Sequence, residues 1–355
     1  MEKINNLRRI LKNSHEAILI HSPENRRYFT GFPSSDGYLV ITQDDAVLFT
    51  DSRYIEAAQK KIIVCRTQLL TRLSGEIKAF LIDNNIEKVY TETEKLTVSL
   101  LSQLRKIFSS IKLTPSQRLE KLISGMRSKK YSYETECIKK AQAIAEAAFD
   151  HILEFIKPGV TEKQIALELD YYMLSHGAEA LSFETIAVTG KKTSMPHGVP
   201  DDSVVKNGDF VTMDFGAVYN GYHSDMTRTV AVGEVSQKQR EIYETVLEAQ
   251  KAALGVLKSG VECSFADKAA RDVIIKAGYG DYFGHATGHG VGIEIHESPN
   301  LSPRSENKLE SGNVVTVEPG IYLPDEFGVR IEDMAVIEKD GCINLTNAPK
   351  ELIVL

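Results

Sequence analysis

Residues 207–225 read NGDFVTMDFGAVYNGYHSD, and this stretch sets the frame for the rest of the chain. Val211, Met213 and Phe215 alternate with Thr212 and Asp214, so Asp214 projects from one face of an expected strand that stops at Gly216. Gly221 breaks the run, and Tyr222 to Val230 resumes it as a second strand. Two consecutive strands joined through glycine form a hairpin, which brings Asp214 and Asp225 side by side although they are eleven residues apart. Adjacent carboxylates repel each other unless a cation lies between them.

A second stretch repeats the first. Val211 to Gly216, VTMDFG, matches Val315 to Gly320, VTVEPG, at an offset of 104 residues, and Gly208 falls on Gly312 at the same offset. Asp214 becomes Glu318. Upstream, Lys157-Pro158-Gly159-Val160 matches Lys258-Ser259-Gly260-Val261 at an offset of 101, as does Gly177 with Gly278. This reads as two copies of one helix-helix-strand-strand unit. A pseudo-two-fold axis between them would turn the acidic strands of both copies toward one shared cavity.

At 355 residues two domains are expected. A chain 42% hydrophobic and 26% charged is ordinary for a soluble globular enzyme, and no apolar run reaches membrane-spanning length. The start, MEKINNLRRILKN, is charged and amphipathic, with no secretory signal pattern. Cys65, Cys137, Cys263 and Cys342 are widely spaced and form no CxxC pair, as expected of reduced thiols in a cytoplasmic protein. A net charge of -7 without a basic cluster offers nucleic acid nothing to bind.

Residues 1–125 alternate short apolar runs with helical patterns. Ala17 to Ser22, Gly37 to Thr42, Ala46 to Thr50, Lys61 to Cys65 and Lys88 to Glu92 read as strands, and Ser74 to Asn84 and Val98 to Ile107 as helices. This is a smaller α/β domain, without GxGxxG or P-loop. The polar Arg127 to Lys130 marks the junction, placed near 122–131, and a second domain occupies 131–355. There a helix is expected from Tyr133 to about Ile156, ended by Pro158-Gly159. Thr161 with Gln164 forms a capping-box pattern for the next helix. Ser236 with Gln239 and Ser264 with Asp267 are read as the equivalent starts in the second copy.

Residues 284–297, GHATGHGVGIEIHE, hold His285, His289 and His296 among four glycines, which disfavour a continuous helix and exclude an HExxH arrangement. Taken alone, such a run is as often a flexible loop as a site. Beside carboxylates, one imidazole completes a mixed site suited to a first-row divalent metal. Near the C-terminal end, GVRIED (Gly328 to Asp333) reads as strand, with Arg330 and Glu332 on the face opposite Val329 and Ile331. The commonest fate of such a pair is a weak surface ion pair. Four acids on strand-like segments, two matched by an internal repeat, favour a metal site.

In the contexts MDFG, YHSDMTRT, GHGVG, VEPGIY and GVRIED, the residues Asp214, Asp225, His289, Glu318 and Glu332 resemble the five-ligand dinuclear site of the pita-bread metallopeptidases. That group contains methionine aminopeptidases, Xaa-Pro aminopeptidases and Xaa-Pro dipeptidases (prolidases). Asn25 to Phe32, NRRYFTGF, and Phe49 to Tyr54, FTDSRY, are similar to the creatinase-type N-terminal domain, which accompanies the proline-directed members. The resemblance implies an α+β fold: a pita-bread domain with a pseudo-two-fold repeat, preceded by a creatinase-like domain.

The resemblance also implies roles. Asp225 and Glu332 would bridge two divalent ions, Asp214 would complete one coordination sphere, and His289 with Glu318 the other. Oxygen-rich ligation with one imidazole suits Mn²⁺, with Co²⁺ or Zn²⁺ as alternatives. A hydroxide bridging the metals would attack the peptide carbonyl, and Glu318 would shuttle its proton toward the leaving nitrogen. His197 in SMPHGVP would line the cleft near the leaving group. His285 and His296 would hold the substrate carbonyl and oxyanion, and Arg330 would orient Glu332 or the substrate end. His151 reads as helix surface, His223 as a neighbour of the site without a role, and Tyr222 as packing.

An Xaa-Pro bond has no N–H, and the proline ring fixes φ, so it needs a dedicated peptidase. Several prolidases carry arginine directly after their HExP segment, where this chain has Asn300, with Arg304 four residues on. That departure favours an Xaa-Pro aminopeptidase, which releases the N-terminal residue from peptides with proline second, over an Xaa-Pro dipeptidase. A non-catalytic binding protein on this scaffold, or metal-free creatinase-like chemistry, is disfavoured by the intact ligand set. By the same resemblance the first domain would form a homodimer contact that narrows the partner's cleft.

Overall fold

The computed structural model describes residues 2–72 and 75–355. Its chain divides into two compact units, Met1–Arg127 and Ser128–Leu355.

The first unit is built on a six-stranded sheet. In chain order its elements are α1 (Glu2–Arg8), β1 (Glu16–Ile20), α2 (Pro23–Thr30), β2 (Tyr38–Ile41), β3 (Ala46–Thr50), α3 (Ile55–Lys61), β4 (Arg66–Leu69), α4 (Glu76–Asp83), β5 (Lys88–Thr91), α5 (Val98–Ile107), β6 (Lys112–Pro115) and α6 (Gln117–Ser128). The strand order is β4-β3-β2-β1-β5-β6, antiparallel at β1/β2 and β2/β3 and parallel elsewhere. The run Lys61 to Cys65 is not a strand. Ile62 caps α3 and is buried while Ile63 is 90% exposed, so this apolar segment ends a helix and the edge strand begins one residue later, at the polar Arg66. Ser74, the first residue of the helix expected over Ser74 to Asn84, lies outside the described residues.

The second unit contains the duplication. Its first copy runs α7 (Ser132–Phe155), α8 (Glu162–Ser175), β7 (Ala180–Leu181), β8 (Ile186–Thr189), β9 (Phe210–Phe215), β10 (Ala217–Tyr219), β11 (Tyr222–His223) and β12 (Met226–Ala231). The second runs α9 (Gln237–Val256), α10 (Cys263–Lys276), β13 (Gly288–Gly290), β14 (Glu297–Leu301), β15 (Val314–Val317), β16 (Gly320–Leu323), β17 (Phe327–Arg330), β18 (Asp333–Ile337) and β19 (Cys342–Asn344). Each copy lays its two helices on its own strands. Phe149, Ile165 and Leu169 pack against Val211, Met213 and Val230, and Ile242, Val246 and Ile274 pack against Val315, Val317 and Val329.

The capping boxes at Thr161–Gln164 and Ser236–Gln239 form as expected. Ser264 does not start α10. Glu262 is the N-cap, without a side-chain cap hydrogen bond, and Asp267 is turned inward and fully buried. The strand expected over Tyr222 to Val230 is likewise interrupted at Ser224-Asp225, between β11 and β12. Gly216 explains the break. A Cβ there would collide with the Ser224 carbonyl, so the two chain segments cross in close contact where the hairpin splits into two sheets. Tyr222 is more than packing, since its hydroxyl donates to Glu134 at 2.6 Å.

Candidate metal centre

β9 is the middle strand of the β12-β9-β8 sheet, with Asp214 opposite Thr227 on one side and Ile186 on the other. Phe215 pairs with Met226, so Asp225 enters the next rung, beside Asp214. In the second copy Val317 pairs with Asp333, which sets Glu318 and Glu332 on the next rung of their hairpin. In both copies the second acid immediately precedes the returning strand.

These residues meet in one cavity of about 630 Å³. Asp214, Asp225, His289, Glu318 and Glu332 line it together with His197, His285, His296 and Arg330. Ligand atoms of Asp225, His289 and Glu332 lie within 4.8 Å of one another. His289 Nε2 is 3.5 Å from Asp225 Oδ2 and 3.4 Å from Glu318 Oε1. Its Nδ1 sits 3.1 Å from the Gly290 carbonyl, which can only accept, so Nδ1 carries the hydrogen and Nε2 presents a lone pair to the acids. Its strand partner Thr316 makes this possible: Gly288 admits the Thr316 backbone where a Cβ would clash, and Thr316 Oγ1 accepts from His289 N.

Packed this way, the acids are under strain. Burial, followed by the charges of Asp214 and Glu318, drives the Asp225 carboxyl well above the ordinary range. Burial and then Asp225, Glu318 and Asp214 do the same to Glu332. Glu318 is pushed up to about 8 by burial, with Arg330 pulling the other way. Burial also holds His289 down at about 4, neutral and able to ligate. Asp214 Oδ1 and Glu332 Oε1 are buried without a hydrogen-bond partner. Unpaired buried carboxylate oxygens are costly, and a divalent cation relieves both the repulsion and the missing partners. The donor set of carboxylates and one imidazole fits such ions.

Arg330 is 4% exposed, which excludes the surface ion pair. It bonds Asp214 Oδ2 at 2.6 Å, Thr227 Oγ1 at 3.0 Å, Tyr322 Oη at 3.1 Å and the Pro196 carbonyl at 3.2 Å. Its direct carboxylate partner is therefore Asp214, and it reaches Glu332 only through Thr227, whose hydroxyl donates to Glu332 Oε2 at 2.7 Å. The Tyr322 hydroxyl lies 2.8 Å from His285 Nε2, and His285 Nδ1 lies 2.8 Å from the Ala286 carbonyl. With Nδ1 donating to that carbonyl, Nε2 accepts from Tyr322. Neither ring nitrogen of His285 is left to donate to an oxyanion, contrary to the expectation for this residue. Burial keeps it neutral, at about 4. His296 is exposed and packs edge-on to His289 at 4.3 Å, while His197 is exposed on the loop between β8 and β9.

Neither His151 nor His223 lines the cavity. His151 bonds Glu168 at 2.6 Å and stacks on Tyr172, and the His223 amide donates to the Gly292 carbonyl. Asn300 is exposed on β14, and neither it nor Arg304 lines the cavity. The sequence reading missed Tyr322, Thr227 and two buried ionic locks. Arg228 is buried behind Glu332 and donates to the Glu332 carbonyl at 2.5 Å and to Asp333 at 2.8 Å. Asp267 accepts from Arg271, and this acid–arginine spacing of four on a helix was the one readable signal among them.

A two-layered duplicated domain with an acidic, imidazole-bearing cavity defines a metal-dependent hydrolase. Residues 136–339 match metallopeptidase family M24 and residues 3–129 match the Creatinase/Prolidase N-terminal domain, and the chain belongs to this family. It is 39% identical to the Xaa-Pro dipeptidase of Pyrococcus furiosus, over 96% of each chain. Among solved structures, an Xaa-Pro dipeptidase from Bacillus anthracis superposes with a TM-score of 0.94 at 42% identity, covering 100% of this chain and 99% of that one. An X-Pro aminopeptidase from Thermotoga maritima does so with 0.92 at 36% identity, covering 98% and 99%. The chain is thus a pita-bread metallopeptidase preceded by a creatinase-type domain, an enzyme that uses divalent metal ions. Among the described residues no helix is long and apolar enough to cross a membrane.

Proposed function

We propose that this chain is an Xaa-Pro dipeptidase, cleaving the bond between an N-terminal residue and proline. The observation that carries the reading is the cavity itself. About 630 Å³ is room enough for a two-residue substrate, and the acidic cluster and histidines converge on it. The full-length likeness to the Xaa-Pro dipeptidases of Bacillus anthracis and Pyrococcus furiosus supports it. The likeness to the Thermotoga maritima aminopeptidase favours a second reading, in which chains longer than two residues are accepted. Asn300 no longer argues for that second reading, because it is exposed and outside the cavity lining.

Two divalent cations, Mn²⁺ by the hardness of the donors, belong at the cluster. Asp225 and Glu332 would be shared between them, Asp214 would serve one, and His289 with Glu318 would serve the other. When bound, the cations supply Lewis acidity and an activated water for attack on the scissile carbonyl. Glu318 takes a proton and passes it toward the leaving proline nitrogen. His296, with its ring at the mouth of the site, and His197 contact substrate carbonyl and leaving group. Arg330 holds Asp214 in place, and His285 orients the Tyr322 hydroxyl. The four unpaired cysteines support a cytoplasmic setting.

The test is hydrolysis of Leu-Pro against Leu-Pro-Pro, with Mn²⁺ and with a chelated control. Metal-dependent release of proline from the dipeptide alone supports the dipeptidase. Release of leucine from the tripeptide establishes the aminopeptidase, and no turnover of either removes the proline specificity. The proposed homodimer contact through the first domain is checked by the mass in solution of the full chain and of residues 128–355. An unchanged number of chains per particle and unchanged length selectivity would sink it.

A further inference from the structure

We propose that Asp267 and Arg271 on α10 are positioning residues for one of the two metal positions, the one served by His289 and Glu318, and not for the Asp214 position. The inference rests on the two-ion reading above.

Asp267 is 1% exposed, although it lies in the first turns of a surface helix. Its Oδ1 accepts both the Thr287 amide at 3.1 Å and the Thr287 hydroxyl at 2.9 Å. Arg271, one helical turn on, donates to both carboxylate oxygens at 2.9 Å. The rest of its guanidinium is spent on the loop that carries the histidines. Nη1 reaches the Phe283 carbonyl at 2.9 Å and Nη2 the His285 carbonyl at 2.8 Å, while the plane lies 4.2 Å from the Phe283 ring centroid. A planar fork can serve a carboxylate and two carbonyls at once, and an ammonium cannot.

Thr287 is the hub. It stands two residues before His289, and its carbonyl accepts the Glu318 amide at 2.8 Å. Asp267 therefore registers the backbones of His289 and Glu318 against one buried carboxylate, and their side chains end 3.4 Å apart. Among the described residues no hydrogen bond or ion pair joins Asp267 or Arg271 to Asp214, whose own support is Arg330. Outer residues that fix ligand geometry typically change metal affinity about 10–100-fold when replaced. Here the change falls on one ion of two.

The experiment is calorimetric Mn²⁺ titration of the metal-stripped full chain, wild type against Asp267→Asn and Arg271→Lys, with melting of the metal-free proteins alongside. Asp267→Asn keeps the shape and removes the charge. Arg271→Lys keeps the charge and removes the fork, which guards against a variant that does not fold. The expected result is two binding classes in the wild type, with one weakened about 10–100-fold in Asp267→Asn and less in Arg271→Lys, and the other within about two-fold. Equal weakening of both classes, or an unchanged titration in both variants, overturns the positioning role while leaving the two-ion reading intact. A stoichiometry of one Mn²⁺ per wild-type chain overturns both.

Discussion

The two copies of the repeated unit share a frame and differ in what they hang on it. The first offers only oxygen, Asp214 on β9 and Asp225 before β12. The second offers Glu318, Glu332 and an imidazole. The loops that face the cavity are also tied down differently. In the first copy Glu162, the fully buried opening residue of α8, accepts the Thr189 and Asp201 amides at 2.8 and 3.0 Å and Lys192 Nζ at 2.7 Å, closing the base of the His197 loop. In the second copy the corresponding helix uses Asp267, deeper in its first turns, and an arginine. A duplicated fold fixes where the site lies, and the departures from symmetry make its two metal positions chemically different.

The largest effect should come from the second copy. Glu318→Gln is expected to lower kcat on Leu-Pro about 10²–10⁴-fold through loss of the proton shuttle. Asp214→Asn, at the symmetric position, should act mainly on metal affinity. Equal kcat losses at saturating Mn²⁺ would show that the copies are functionally equivalent.

Next in size is the link between copies. Arg330→Met leaves the part-buried Asp214 without its counter-charge and should cost about 3 kcal/mol, read by urea unfolding of the metal-free protein. Adding Asp214→Asn should restore part of that loss, and strict additivity of the two would mean that the pair is not coupled.

Chelation should act with a defined pH sign. In the metal-free protein Glu318 binds its proton more tightly folded, at about 8, than unfolded, near 4.5. The folded state then holds more protons between these values, so stability is fully present below about 4.5 and is lost as pH rises toward 8. His285 and His289, at about 4 folded against 6.5 unfolded, push the other way over the lower part of that range, so the Glu318 contribution is read by difference: from pH 5 to pH 8 the chelated wild type should lose roughly 5–10 °C more of melting temperature than chelated Glu318→Gln, and the Mn²⁺-loaded wild type less. Equal pH slopes for the chelated wild type and chelated Glu318→Gln would contradict the raised Glu318.

Smaller still, Glu162→Gln should raise KM about 3–10-fold with kcat within two-fold, since it loosens a wall rather than the reacting centre. Asn300→Arg should leave kcat/KM on Leu-Pro within about two-fold, as expected of an exposed residue outside the cavity.

Much of this was legible in the chain. The alternation around Asp214 and the VTMDFG/VTVEPG match identify the duplicated strands, because period-two burial and a glycine stop leave a direct trace in residue type. The five residues that resemble a ligand set do line one cavity. Other features have no local trace. Whether Lys61 to Cys65 extends or caps a helix was decided by what Ile62 could bury against, and Ser264 lost the cap because the chain enters α10 through Glu262. Asp267 and Arg228 are ordinary charged residues in the sequence. Their roles depend on Thr287 and Glu332, respectively 20 and 104 residues away, and only the fold supplies those partners.

The bond between Asp214 and Arg330 joins residues 116 positions apart. At about 5–20 residues per second of synthesis, Asp214 exists for roughly 6–23 s before Arg330 has been made. Through that interval the first copy carries its acids without the guanidinium, and for the first 75 of those residues without His289 as well. Although the unit is duplicated in sequence, the first copy's acidic hairpin acquires its counter-charge only when the second copy has been made.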